Sequence, residues 1–148
     1  MSKGVSDATN QDPVIIFVVE DEVLLRDLIG PALEEAGFSV VTASNGEEAI
    51  GLLEREDVPP IRALLTDIDL GTEISGWDVA RRARELRPGI PVVYVTGRGA
   101  EEWSAQGVPN SVLITKPFAP IQVVTAISQL LNEVPCPGEP SPSQPQSP

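Results

Sequence analysis

An α/β fold built on a parallel sheet, with helices over both of its faces, is what this sequence predicts. Two observations carry the prediction. Five short apolar runs, at residues 14–19, 39–43, 61–66, 91–95 and 111–114, alternate with five stretches of helical periodicity. The first of these runs is also continuously apolar, as a strand sandwiched between two helical layers should be. Crossovers between parallel strands are right-handed.

The first run, Val14 to Val19, is continuously apolar and too short for a helix. It stops at Glu20-Asp21-Glu22. From Val23, apolar residues recur at three- and four-residue steps: Leu24, Leu25, Leu28, Ile29, Ala32, Leu33 and Ala36. This predicts a first helix, closed by Gly37 and kinked at Pro31. Ser39 to Ala43, rich in β-branched residues, is the second strand. Asn45-Gly46 opens a second helix with Ala49, Ile50, Leu52 and Leu53 on its apolar side, and Pro59-Pro60 breaks it.

Ile61 to Thr66 is the third strand, ending at Asp67, and Gly71 to Gly76 is a loop. Trp77 to Leu86 is the third helix, closed by Pro88-Gly89. Pro91 to Val95 is the fourth strand, ending at Thr96-Gly97, with a short helix at about Glu101 to Gln106. Ser111 to Ile114 is the fifth strand, ending at Thr115-Lys116-Pro117. The last helix is predicted from about Pro120 to Leu131, with Ile121, Val124, Ile127, Leu130 and Leu131 inward.

These elements define one domain, residues 13–133, flanked by a polar arm over residues 1–12 and a tail over residues 134–148. The tail carries prolines at 135, 137, 140, 142, 145 and 148 among Ser, Gln and Gly. Such a composition buries little apolar surface, so an extended, disordered segment is expected, with docking to a proline-reading partner as the sharper reading. The chain of 148 residues is 41% apolar, ordinary for one globular domain. No run is long enough to span a bilayer, the N-terminus lacks a signal-peptide layout, and the single cysteine, Cys136, has no partner for an internal disulfide. A cytoplasmic location is expected.

The net charge is −12, with no histidine. That weighs against binding to a nucleic-acid backbone, which needs clustered Lys and Arg. It also removes imidazole metal ligands, His-activated nucleophiles and phosphohistidine. Chemistry must rest on carboxylates, hydroxyls, lysine or metal ions.

In a doubly wound sheet the ligand site lies beyond the carboxyl ends of the strands. The first strand delivers Glu20 and Asp21 there, the third Asp67 with Asp69 two residues on, the fourth Thr96, and the fifth Lys116. Singly, each is ordinary: an acidic pair caps helices, an Asp or Thr ends a strand in a turn, a Lys decorates a surface. Together, at four strand ends, they describe one small cleft. Three carboxylates need a counter-charge, and Mg²⁺, which favours carboxylate, water and phosphate oxygens, is the fitting one. Glu20, Asp21 and Asp67 are the expected ligands. Asp67 is also a candidate nucleophile, because carboxylates form acyl phosphates. Metal and Lys116 place positive charge at phosphoryl oxygens, and Thr96 offers a hydroxyl donor. Lys116-Pro117 predicts a rigid turn of the kind that often holds a cis peptide bond.

Val-Val-Glu-Asp-Glu, Leu-Leu-Thr-Asp-Ile-Asp, Val-Thr-Gly and Ile-Thr-Lys-Pro-Phe resemble the four signature segments of response-regulator receiver domains. The resemblance runs from about Pro13 to Asn132. It implies a flavodoxin-like sheet of five strands in the order 2-1-3-4-5 with five helices. It implies phosphorylation of Asp67 by a histidine kinase or a phosphotransfer protein. By the same resemblance Glu20 and Asp21 bind the metal, Asp69 offers its backbone carbonyl, and Thr96 and Lys116 follow the phosphoryl group. With no DNA-binding or enzymatic domain following, the chain resembles a single-domain regulator of the chemotaxis type. Such a regulator turns over no external substrate and signals through a downstream protein.

Three departures from the family pattern stand out. Leu113 occupies the position of the usual switch aromatic, three residues before the lysine. The loop after Asp67 lacks the usual proline and is about one residue longer, reaching Gly76. Asp69 and Arg98 flank the phosphoryl site, where side chains tune hydrolysis. Two rival readings follow: a phosphorylation-independent pseudo-receiver, kept open by Leu113 and the loop, and an aspartate-nucleophile phosphatase, to whose motif Asp67-Ile68-Asp69 is similar. The latter family expects its motif on the first strand. Elsewhere, Arg81, Arg82, Arg84 and Arg87 read as a solvated face pairing with Asp78 and Glu85. Trp103 reads either as partly buried or as an exposed partner anchor on an output face with the start of the last helix.

Overall fold

The computed structural model of the protein describes residues 14–57, 60–97 and 100–133. Its strands are β1 (Ile15–Val19), β2 (Ser39–Ala43), β3 (Ile61–Asp67), β4 (Val92–Thr96) and β5 (Ser111–Thr115). Its helices are α1 (Val23–Glu35), α2 (Gly46–Glu54), α3 (Gly76–Leu86), α4 (Trp103–Gln106) and α5 (Pro120–Glu133), with a 3₁₀ turn, Ala100–Glu102, leading into α4. The strands form one parallel sheet in the order β2-β1-β3-β4-β5. This is the flavodoxin-like arrangement. The strand order reverses between β1 and β3, so a crevice opens beyond their carboxyl ends.

Two apolar layers hold the sheet. On one side Phe17, Val19, Leu64, Val92 and Tyr94 pack with Ala49 and Leu53 of α2 and Trp77, Val79, Ala80 and Ala83 of α3. The Trp77 and Tyr94 rings meet at 4.8 Å between centroids with a 58° tilt, a favourable geometry for two aromatic quadrupoles. On the other side Ile16, Val18, Leu65, Val93 and Val95 pack with Ile29 and Leu33 of α1 and Val123 and Ile127 of α5. Burying one such aliphatic side chain is worth about 1.5–3 kcal/mol.

Helix ends follow their sequence signals. Asn45 caps α2 by accepting from the Glu48 amide at 2.8 Å. Ser75 and Asp78 form a reciprocal capping box at α3. Gly37, at φ 104°, takes the left-handed conformation that ends α1.

The apolar stripes are narrower than the periodicity suggested. In α1 the inward line is Leu25, Ile29 and Leu33, one residue per turn; Leu24 (81% exposed) and Leu28 (55%) lie about 100° away and face outward. In α5 the buried residues are Val123 and Ile127, with Val124, Leu130 and Leu131 half-buried. Ile121, expected inward, is exposed, because it stands roughly 200° around the helix from Val123. α1 continues through Pro31 to Glu35. The arm, the tail with Cys136, and Arg98 lie outside the described residues.

Candidate functional site

Each candidate side chain reaches the crevice because a strand ends there. β1 pairs with β2 and β3 up to Val19, and the next residue, Glu20, donates its amide to the Ala43 carbonyl at 3.0 Å. β3 ends at Asp67, opposite Val95 of β4. β4 ends at Thr96, opposite Thr115 of β5, and the Lys116 amide donates to the Thr96 carbonyl at 2.8 Å. The Lys116–Pro117 peptide is cis.

Glu20, Asp21 and Asp67 each bring a carboxylate oxygen to within 4.8 Å of the other two. Glu20 and Asp67 are buried, at 1% and 4% exposure, whereas Asp21 faces solvent. Lys116 Nζ donates to Asp67 Oδ2 at 2.8 Å. Thr96 is buried too, next to Lys116 through that backbone bond. Five of the six residues that the sequence brought to the strand ends, Glu20, Asp21, Asp67, Thr96 and Lys116, thus gather at one end of the sheet.

One ammonium does not balance three carboxylates. Like charges at this separation repel by roughly 3 kcal/mol at an effective dielectric of 20. Glu20 bears the result: burial first, and then the Asp67 carboxylate, push its pKa from 4.5 to about 8. Lys116 is pulled down by burial, but its hydrogen bond to Asp67 and the nearby acids prevail and raise it. An all-oxygen donor set with excess negative charge and an exposed side at Asp21 fits a hard divalent cation such as Mg²⁺.

The loop after β3 is shaped around Asp67. The Asp69 amide donates to Asp67 Oδ1 at 3.2 Å, and the Asp69 carboxylate accepts from the Gly71 amide at 3.2 Å. The carboxylate of Asp69 thus turns into the loop, outside the cluster of three. Gly71, at φ 76°, lies beside Asp21: a Cβ there would stand 3.4 Å from Asp21 Oδ2. Gly76 passes closer still, since a Cβ would fall 2.1 Å from the Asp67 carbonyl oxygen, and its amide donates to Ile68 O at 2.8 Å. Only glycine fits that approach.

Three contributors escaped the sequence reading. Gly76 was read as the end of a loop; its role as a spacer against Asp67 needs the fold. Arg26 donates from Nη1 to the Glu20 carbonyl at 2.8 Å, with no sequence signal beyond its position one turn into α1. Thr66 Oγ1 donates to the Asp67 carbonyl at 2.8 Å from an unremarked strand position. Trp103 is half-buried, and its Nε1 donates to Ser111 Oγ at 2.9 Å, so it packs inward rather than standing free as an anchor. Leu113, in place of a switch aromatic, packs half-buried against the α2–α3 side of the core.

Comparison with known proteins places this geometry. The family model described as "Response regulator receiver domain" matches residues 16–128. A solved response regulator receiver protein from Sinorhizobium medicae is 41% identical, with a TM-score of 0.78, over 82% of this chain and 96% of its own. The response regulator receiver protein CpdR of Brucella abortus is 32% identical over 78% of this chain and 95% of its length. The probable transcriptional regulatory protein TcrX of Mycobacterium tuberculosis is 33% identical over 81% of this chain. The chain spans about half the length of TcrX. The chain belongs to the response regulator receiver domain family, the phosphorylation-responsive class of two-component signalling.

Proposed function

We propose that Asp67 is the phosphoacceptor of a two-component phosphorelay and that its phosphorylation is read by a partner protein. The observation that carries this reading is the Lys116–Asp67 contact of 2.8 Å inside a cluster of three carboxylates. A buried nucleophilic carboxylate, a fixed ammonium and an acidic cation site are the parts that phosphoryl transfer to aspartate needs.

The donor is a histidine kinase or a phosphotransfer protein carrying phosphohistidine. An oxygen of the Asp67 carboxylate bonds to phosphorus as the nitrogen–phosphorus bond breaks, and the imidazole leaves and takes a proton from solvent. Lys116 remains as the counter-charge for the phosphoryl oxygens, and the Thr96 hydroxyl donates to another of them. Glu20, Asp21 and Asp67, with the Asp69 carbonyl, would hold Mg²⁺. When bound, Mg²⁺ supplies positive charge for the phosphoryl oxygens. Water later cleaves the acyl phosphate, so the protein acts once per cycle on itself rather than turning over an external substrate.

The arm over residues 1–12 and the tail over 134–148 flank this domain in the proposed organisation. Among the described residues no helix is long and apolar enough to cross a membrane. The signalling is taken to be cytoplasmic, through contact with a downstream protein and not with DNA or membrane. Leu113 favours one second reading, a phosphorylation-independent binding module. Borohydride reduction after exposure to a phosphodonor separates the two. Conversion of residue 67 to homoserine, read by peptide mass, reports an aspartyl phosphate; an unmodified Asp67 after kinase and small-molecule donors favours the binding module.

A further inference from the structure

A second concavity lies at the sheet edge opposite Asp67. It is a groove of about 350 Å³, within the size range of ligand pockets, at the amino ends of β3 and β4. Its floor is apolar: Pro60, Ile61, Ile90, Pro91 and Leu131. Arg62 and Arg87 line it as well.

In a chain of net charge −12, the described arginines without an ion-paired acid are Arg26 and Arg84, which donate to backbone carbonyls, and the two that line this groove, Arg62 and Arg87. Arg55, Arg81 and Arg82 each pair with a carboxylate. Among the described residues, no ion pair joins Arg62 or Arg87 to an acid; the Arg87 guanidinium donates only to the Leu53 carbonyl, at 3.4 Å. An apolar floor beside two cations without acidic partners suits a segment that carries apolar residues and one carboxylate.

The sequence supplies such a segment shortly after a residue that lines the groove. Leu131 lines the groove, and three residues later the sequence runs Val134-Pro135-Cys136-Pro137-Gly138-Glu139. At about 3.1 Å per residue, a polyproline conformation would let Glu139 reach no farther than roughly 25 Å from Leu131. Alternating prolines lower the entropy lost on docking and leave backbone carbonyls free to accept from arginine. We propose that residues 134–139 dock in this groove of their own domain, with the Glu139 carboxylate at Arg62 and Arg87. The site is distinct from the Asp67 crevice, and its occupancy leaves the acceptor open.

Cys136, the single cysteine, lies within the docking segment and reports on it. The experiment is the alkylation rate of Cys136 by uncharged N-ethylmaleimide in the full chain, beside a synthetic peptide of residues 134–148. Docking predicts a rate about tenfold slower in the chain. Glu139→Lys, which leaves the folded domain untouched, should restore the peptide's rate. So should Arg62→Glu with Arg87→Glu, and all three changes together should slow it again. A chain rate equal to that of the peptide overturns the proposal and leaves the groove to another protein. Protection that ignores all these substitutions overturns it too. Protection that fades on dilution assigns the groove to the tail of a second copy, and the intramolecular proposal fails. None of these outcomes bears on phosphorylation at Asp67.

Discussion

Lys116 Nζ and Asp67 Oδ2 stand 2.8 Å apart, although they lie 49 positions apart in the chain and β4 stands between β3 and β5 in the sheet. Among the described residues, Lys116 is the only cation that pairs with any of the three clustered acids, and it pairs with Asp67. Replacing Lys116 with alanine should therefore act in two directions. Phosphorylation of Asp67 by acetyl phosphate should slow by about 10²-fold, the usual cost of one lost charge-stabilising donor. Mg²⁺ should bind as tightly or more tightly, because a competing cation has gone. Titration of Mg²⁺ against intrinsic fluorescence, beside phosphorylation kinetics, checks both.

Glu20 makes the metal-free protein sensitive to pH. Its pKa is raised from 4.5 to about 8, so between those values the folded state holds a proton that the unfolded state has released. Stability then falls as pH rises through that window. Binding of Mg²⁺ requires the ionised carboxylate, so it should release protons below pH 8 and tighten as pH rises. Melting temperature measured from pH 5 to 8.5, in EDTA and in Mg²⁺, should show a decline in EDTA that Mg²⁺ offsets increasingly toward high pH. Glu20→Gln should flatten both dependences. A metal-free profile that climbs across this range would contradict the account.

Gly76 and Gly51 separate steric need from helix propensity. Any side chain at 76 meets the Asp67 carbonyl oxygen, whereas a Cβ at Gly51, an exposed position of α2, meets nothing within 4 Å. Gly51→Ala should stabilise the fold by about 0.5–1 kcal/mol. Gly76→Ala should cost about 1–3 kcal/mol through forced backbone shifts and should also slow phosphorylation, since Asp67 itself is displaced. Chemical denaturation of both variants tests the pair.

In α1, neighbouring residues of similar size should differ sharply. Ile29→Ala removes a fully buried side chain and should cost about 2–5 kcal/mol. Leu24→Ser, at a position 81% exposed, should change stability by no more than about 0.5 kcal/mol. Equilibrium unfolding in urea distinguishes them.

That contrast marks how far the sequence could be read. The strands were legible because a parallel sheet covered on both faces needs apolar runs, and Val14 to Val19 and Ala63 to Leu65 supply them. The crevice was legible because such a fold gathers its strand ends, so Glu20, Asp21, Asp67, Thr96 and Lys116 could be placed together by position alone. Helix faces were less so: with apolar residues at 24, 25, 28 and 29, the periodicity of α1 admits more than one inward stripe, and only packing against Ile16 and Val18 selects Leu25, Ile29 and Leu33. Trp103 was ambiguous for the same reason, and its orientation depends on Ser111, a partner eight residues on. The spacer role of Gly76 depends on how closely α3 starts beside Asp67, a distance that no local pattern encodes.

The central claim is that Asp67 accepts a phosphoryl group with the help of a divalent cation. Intact mass after incubation with acetyl phosphate and Mg²⁺, beside Asp67→Asn and EDTA controls, tests it most directly. The account predicts one added phosphoryl group in the native protein and none in either control. A phosphoryl group that persists in Asp67→Asn or in EDTA, or a native protein that binds Mg²⁺ yet takes no phosphoryl group from acetyl phosphate or from a phosphorylated histidine kinase, would contradict it.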